Sequence, residues 1–497
     1  MSARALMIQG TSSAAGKSLI ATALCRIFRR GGIRVAPFKA QNLALNSAVT
    51  LDGSEIGRSQ ALQAQACGLE PEADMNPVLL KPEADMRTQV VLHGRAWKSV
   101  GPGEWDDCRP LLWEAVVESL ERLRARYDLL IIEGAGSPVE INLKKNEIVN
   151  MRVARACSAP VLLAASIELG GVFAAIVGTL ALLEPEERAL IKGFVINRFR
   201  GDPGLLTSGL RMLEERTSGM PTLGVIPYME NLRLPQEDSA VISSSGLSPD
   251  PEGVDVAVIH LPHISNFDDC DPLAMELGVH VRFVSSVEDL GLPDALIIPG
   301  SKATLADLSW LVSRGFGHAI RTYADRGGVV VGICGGYQMM GLAVHDNAGS
   351  EGIAGTRQGV GLLPVETNFE EEKTVRQVAA RVSGGPGFLE ECAGAEVSGY
   401  EIHRGRTVPA AGWAPVFTRA DGSPDGAAAR GGRVWGTYLH GVFGAPGFRR
   451  AWLSSIGWHA REPGASRDSV VEREIDRVAD VVSASLDMNR VRQIAGV

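Results

Sequence analysis

The sequence predicts an α/β protein built from two doubly wound domains. Three observations predict it. Apolar runs of strand length alternate with helical stretches from Ala5 to Met229. The alternation breaks over Leu232–Gly253, a stretch rich in Ser, Pro, Gly and acidic residues. A second alternation begins at Val254. Such alternation places a largely parallel sheet between two layers of helices. The chain has 497 residues, too many for one hydrophobic core. The expected division is a first domain over 1–231, a linker over 232–253, a second domain over 254–447 and a charged helical tail over 448–497.

Each element has its own signal. ALMIQG (Ala5–Gly10) reads as a buried strand, and Lys17–Arg30 as an amphipathic helix stopped by Gly31 and Gly32. VAPFK, DLLIIEGAG, APVLLAAS, KGFVINR and TLGVIPYM are the further strands of the first domain, with helices over Pro110–Arg126 and Gly171–Leu183. In the second domain VDVAVIHLP, VHVRFVSS, DALIIPGS and GGVVVGIC read as strands. Irregular β-like segments follow, then the strand-like VWGTYL, and a helical pattern from about Arg467.

Composition narrows the class of partner. A net charge of -9 and 5% aromatic residues argue against general nucleic-acid binding. Small-molecule substrates are expected, with homo-oligomer formation left open. The seven cysteines form no C-x-x-C pair, so a zinc site is not expected, and their scatter fits a reducing cytoplasm. No apolar run reaches the roughly 18 residues of a membrane span. The glycine loop at Gly10 leaves no room for a secretory leader, so none is expected.

The strand Ala5–Gly10 runs into QGTSSAAGKS (Gln9–Ser18) and then a helix. This is a phosphate-cradling loop: its backbone N–H groups and the helix N-terminus attract phosphate oxygens. Gly10, Thr11, Ser13, Ala14, Ala15 and Gly16 form the cradle, Lys17 reaches the outer phosphates, and Ser18 is a Mg²⁺ ligand. ATP and Mg²⁺ are the expected cofactors. The interval between the loop glycines is one residue longer than in the common motif. Lys39, ending the second strand, is a candidate for the γ-phosphate. Glu133, ending a buried strand at the edge where ligands bind, is a candidate metal ligand, and Glu55 a further one.

In GGVVVGICGG a β-rich run meets glycine, Cys334, two glycines and a helix. That order builds a nucleophile elbow with cysteine at its tip. The helix N-terminus and a nearby histidine favour the thiolate. His440, in GTYLHGVF, is the candidate base, and His403 is the only other histidine of interest. The Gly335 N–H and a donor from the turn at Gly300 are candidates for an oxyanion hole. A nucleotide site and a thiol site on one chain point to two coupled half-reactions.

These motifs carry a resemblance. The Gly10–Ser18 spacing is similar to the loop of dethiobiotin-synthetase-like ATPases. Cys334 and His440 resemble the class I glutamine amidotransferase domain, which implies a flavodoxin-like sheet, a glutamyl thioester on Cys334 and release of ammonia. Most members carry a glutamate two positions after the histidine, where this chain has Val442. That resembles the corrinoid amidases, which work with Cys and His alone; Glu401 is a candidate to orient His440. As a whole the chain resembles the cobyric acid synthase family, through PFKAQNLALNS, GSEIGRSQALQAQA, NPVLLKP, EGAGSPVEINL, GGVFAAIVGTL, INRFRGD, LPQEDS, PGSKATLADL, GICGGYQMMG, GLLPVET, GYEIHRGRT and GTYLHGVF.

The resemblance implies ATP- and glutamine-dependent amidation of the b, d, e and g carboxylates of adenosylcobyrinic acid a,c-diamide, and adds Asn197 of INRFRGD to the nucleotide site. It implies an acidic substrate, for which Arg58, Lys81 and Arg87 are candidate contacts. One departure stands out: the family's Asp-x-Asp-Arg before GGVFA is replaced by Ser166, Ile167, Glu168 and Leu169. Two other readings stand beside this one. They are cobyrinic acid a,c-diamide synthase and a P-loop ATPase switch with an inactive amidotransferase-like binding module.

Overall fold

A computed structural model describes residues 3–83, 86–230, 232–235, 253–351, 354–410, 413–460 and 466–497. Most of the expected linker, 236–252, lies outside the described residues.

The first sheet is built from β1 (Arg4–Gly10), α1 (Lys17–Arg30), β2 (Val35–Phe38), α2 (Arg58–Cys67), α3 (Trp105–Arg126), β3 (Leu129–Glu133), β4 (Val161–Ser166), α4 (Val172–Leu182), β5 (Ile191–Phe199) and β6 (Thr222–Pro227). Its six strands are parallel, in the order β6-β5-β4-β1-β3-β2. Both faces are covered, as a parallel sheet requires. Leu6 and Ile8 of β1 face one apolar layer with α1, while Ala5 and Met7 face the other with α3 and α4. The chain leaves β1 in one direction toward β2 and later in the other toward β4. The carboxyl ends of β1, β3 and β4 therefore flank the crevice where open sheets of this type bind ligands. Between β2 and α3 the chain makes an unexpected four-stranded sheet of Gln41–Leu43, Val78–Pro82, Thr88–Leu92 and Arg95–Val100.

The second domain contributes β7 (Val254–Ile259), β8 (Val279–Val284), β9 (Ala295–Ile298), β10 (Val329–Ile333), the short helix α5 (Gly335–Met339), β11 (Val365–Val382), β12 (Glu396–Pro409), β13 (Ala427–Ala429) and β14 (Val434–Thr437). The central sheet runs β8-β7-β9-β10-β14-β13, parallel except for its last pair. The segments that read as irregular β form a second sheet around the long antiparallel hairpin of β11 and β12. That hairpin turns toward the first domain: Gln377 Nε2 donates to the Val49 carbonyl at 2.6 Å.

The tail is helical from Arg467. Its helices α6 (Arg467–Ser485) and α7 (Met488–Ala495) fold back onto the first domain. Ile475, Val478, Ala479 and Val482 are fully buried in the apolar layer that holds Leu24 and Phe28 of α1. Arg26 pairs with Glu472 and Asp476, and Arg30 with Asp480. The sequence thus completes the first domain after threading through the second. Among the described residues no helix is long and apolar enough to cross a membrane.

Candidate active sites

The glycine loop lies at the carboxyl end of β1. A single turn over Ser13–Ala15 leads to Gly16, whose φ of 87° starts α1. A side chain at Gly16 would strike Asn197 Nδ2 at 2.0 Å. That amide donates to the Ala15 carbonyl at 3.0 Å, so Asn197 braces the loop from β5. Lys17 folds back over the cradle, with Nζ donating to the carbonyls of Ser12 at 2.9 Å and Gly136 at 3.1 Å. A cation centred on its own loop is placed to meet an incoming phosphate. Ser18 Oγ donates to Glu133 Oε1 at 2.8 Å, and Lys39 Nζ sits 2.9 Å from the same oxygen. Gln63 Nε2 donates to the other carboxylate oxygen at 2.5 Å. Burial pushes the Glu133 carboxyl up, but Lys39 and these donors outweigh it and hold it below the usual range. The loop, Lys17, Ser18, Lys39, Glu133 and Asn197 therefore lie together at one end of the sheet.

Glu55 does not join them. It is 1% exposed and pairs with Lys81 and with Lys373, the latter at 2.6 Å from the second domain. Both carboxylate oxygens are occupied by ammonium groups, so the expectation of a metal ligand is corrected: Glu55 neutralises buried lysines. Lys81 is spent on the same cluster. Arg87 bonds the Ser99 carbonyl at 2.7 Å, and Arg58 turns away to the second domain.

The thiol centre follows from the elbow. Cys334 has φ 50° and ψ −105°, a conformation that costs a non-glycine residue energy and that the packing around it enforces. Its N–H donates to the Thr437 carbonyl at 2.8 Å, tying β10 to β14 and carrying the chain on to His440. Gly335 opens α5, so its N–H has no partner within the helix. A Cβ on Gly335 would lie 2.8 Å from the Ser301 nitrogen, and one on Gly300 would lie 3.1 Å from His440 Cε1. The Gly300–Ser301 strand therefore lines the site beside both residues.

His440 is 2% exposed. Its Nδ1 is 2.7 Å from Asp269 Oδ2, and the Gly441 N–H donates to Asp269 Oδ1 at 2.7 Å. Cys334 lies close enough to interact electrostatically with the ring, and its Sγ donates to the Ile402 carbonyl at 3.6 Å. Burial would lower the imidazolium pKa, but the charges of Asp269 and Cys334 push it up to about 10. Asp269 is thus the acid of the site, and the expectation for Glu401 is overturned. Glu401 is fully buried between Arg376 at 2.7 Å and Arg419 at 2.6 Å. His403 is not a second base: it stacks on Tyr438 at 3.9 Å, and its Nδ1 donates to the Gly405 carbonyl. Asp269 was missed because no spacing relates it to His440; the acid-rich FDDCD segment was its only trace.

The departure at 166–169 lies at the end of β4. Glu168 pairs with Arg198 at 2.7 Å, and Leu169 is exposed. Glu168 thus keeps one carboxylate at this edge, neutralised by arginine.

A family model described as the CobQ/CobB/MinD/ParA nucleotide binding domain matches residues 6–241. One described as the CobB/CobQ-like glutamine amidotransferase domain matches residues 255–448. Several curated relatives align from end to end. The cobyric acid synthase of Dehalococcoides mccartyi (strain CBDB1) is 48% identical, covering 99% of this chain and 99% of the relative. That of Roseiflexus castenholzii (strain DSM 13941 / HLO8) is 49% identical, covering 99% of each. That of Sorangium cellulosum (strain So ce56) is 47% identical, covering 100% of this chain and 99% of the relative.

Proposed function

The chain belongs to the cobyric acid synthase family, and from that premise we propose that it converts adenosylcobyrinic acid a,c-diamide to cobyric acid by four amidations. It is a glutamine-hydrolysing, amide-forming ligase of cobalamin biosynthesis. The observation that carries the reading is an assembled Cys334–His440–Asp269 centre on the same chain as the loop of Lys17, Ser18 and Glu133.

Cys334 attacks the glutamine carboxamide, and the Gly335 N–H faces the developing oxyanion, with the turn at Gly300 as its partner. His440, charged against Asp269, gives its proton to the departing nitrogen. Water then releases glutamate from the thioester. Ammonia passes within the molecule, since bulk water would protonate it. In the first domain ATP phosphorylates a b, d, e or g carboxylate of the corrinoid, ammonia displaces phosphate, and an amide remains. Lys17 and Lys39 stabilise charge on the transferred phosphoryl group. The Ser18 hydroxyl and Glu133 carboxylate are hard oxygen donors 2.8 Å apart and fit Mg²⁺. Among the described residues no three acidic, His or Cys side chains cluster as a metal site. Bound there, Mg²⁺ would neutralise phosphate charge.

Mass spectrometry of adenosylcobyrinic acid a,c-diamide incubated with protein, MgATP and glutamine tests the reading. Four successive amidations are expected. Lys17→Ala loses them with either nitrogen source, and Cys334→Ala keeps them with free ammonia only. ATP hydrolysis without amidation of this substrate would overturn the assignment.

A further inference from the structure

Arg58 opens α2 in the first domain, yet its side chain is largely buried against the second. Its Nη2 donates to the Tyr400 hydroxyl at 2.7 Å and sits 2.9 Å from Asp268 Oδ2. Tyr400 is a wall of the slot that holds His440, and Asp268 adjoins the carboxylate that closes it. The Tyr400 ring lies flat on the imidazole, with centroids 5.1 Å apart and planes 14° from parallel. The two backbones also exchange hydrogen bonds, His440 N–H to the Tyr400 carbonyl at 2.9 Å and the reverse at 3.2 Å. On the other side Asp268 precedes Asp269 on one tight turn, Phe267–Cys270. Holding Asp268 therefore holds the carboxylate that grips His440 Nδ1. Asn266, in a left-handed conformation at the start of that turn, donates to the same Tyr400 hydroxyl at 2.7 Å. Arg467 of the tail also donates to Asp268 Oδ2, at 2.8 Å, so Arg58 joins the stacking wall to an acid wall that it shares with Arg467.

We propose that Arg58 is a positioning residue for the glutaminase base, setting the plane of His440 through Tyr400 and its acid through Asp268. The inference rests on the amidotransferase reading above. Its physical basis is geometric. An imidazole that must reach a sulfur and donate one specific hydrogen bond to its carboxylate loses rate steeply when its ring plane turns. A stacked ring fixes that plane only if it is itself fixed, and the phenol hydroxyl is the atom farthest from its own backbone. A planar guanidinium is suited to bond the hydroxyl and the carboxylate at once. Arg58 also shares α2 with Gln63, which donates to Glu133 at the phosphate loop. The helix that touches the phosphate site therefore carries the group that sets the glutaminase base.

The full-length protein is assayed with corrinoid, MgATP and either glutamine or ammonia. Arg58→Ala is expected to lose about 10- to 100-fold in glutamine-dependent kcat, with the KM for glutamine changed less than about threefold. Its ammonia-dependent rate is expected to stay within about twofold of native, because free ammonia bypasses His440. Added guanidinium ion is expected to restore part of the lost rate. Tyr400→Phe keeps the stacked ring and loses the hydroxyl, and a loss of about 3- to 10-fold in the same pattern is expected. Arg58→Lys keeps the charge on Asp268 and falls between native and Arg58→Ala. If Arg58→Ala does not fold, the other two variants decide by the same comparison. Glutamine-dependent kcat within about twofold of native, or an equal fall in both rates in a folded variant, overturns the inference. Native protein that amidates with neither nitrogen source overturns the functional reading instead.

Discussion

His440 is held by a carboxylate 171 positions earlier in the chain. Asp269 fixes Nδ1, leaves Nε2 for the sulfur, and supplies the charge that keeps the ring protonated. Asp269→Asn preserves the shape and removes the charge, so glutamine-dependent kcat is expected to fall by about 10²-fold or more. The ammonia-dependent rate is expected to be unchanged. The pair also leaves a signature in stability. The His440 pKa rises from 6.5 to about 10 on folding. The unfolded chain releases this proton near its ordinary value. The stabilisation is therefore complete below about pH 6.5 and is lost as pH climbs toward about 10. The stability gap between native protein and Asp269→Asn should be widest at about pH 6 and narrow toward about pH 10 in denaturant titrations. A gap that does not change with pH would rule out the charged pair. Cys334 and His440 were legible in the sequence because an elbow needs its glycines in fixed order and a base needs a strand end near it. Asp269 was not, because a carboxylate that meets its partner only through tertiary folding leaves no interval to read. Glu401 seemed available by sequence and is instead claimed by two arginines.

At the scale of elements, the elbow and the tail show what packing adds to pattern. Helix α5 approaches β9 so closely that a Cβ on Gly336 would lie 1.9 Å from the Ile298 carbonyl oxygen. Neither backbone can yield cheaply. Gly336→Ala is expected to cost about 1–3 kcal/mol and to disable glutamine use, while ammonia still supports amidation. Equal stability by thermal melting would show that the elbow has slack. The tail helix α6 makes the second case. Its amphipathic period announces a buried face but cannot say against what. The structure supplies α1 as that partner, so Ile475→Ala should destabilise the nucleotide domain by about 2–5 kcal/mol despite lying far along the chain. A melt that reports loss only in the second domain would contradict this. The parallel strands were legible because both faces are buried and their apolar runs are continuous. The inserted four-stranded sheet was not: Gln41–Leu43 is too short to show a period, and Arg95–Val100 is largely exposed.

At the scale of the molecule, the two domains meet through buried charge. Glu55 faces Lys81 from its own domain and Lys373 from the other, Lys302 pairs with Glu83 at 2.9 Å, and Arg58 pairs with Asp268. Breaking one partner of such a cluster is costly because the remaining charges stay buried. Glu55→Gln leaves two ammonium groups facing each other, and a loss of about 3–5 kcal/mol is expected near neutral pH. The pH dependence has a defined sign. Burial draws Lys373 down from 10.5 to about 8, against the pull of Glu55. Between these values the unfolded chain binds more protons than the folded one, so this group's contribution to stability grows as pH rises through that window. Without Glu55, Lys373 sheds its proton more readily, and the penalty of Glu55→Gln should shrink above about pH 8. Urea titrations of native and variant protein at about pH 7 and 9.5 measure this, and a penalty under about 1 kcal/mol at both would mean the cluster holds nothing together. The same variant probes the passage of ammonia. A loosened interface should raise the glutamine consumed per amide formed while leaving ammonia-dependent amidation intact, because the leak lies between the two sites. If Glu55 were instead a magnesium ligand, the ammonia-dependent rate would fall with it and the ratio of glutamine to amide would not change.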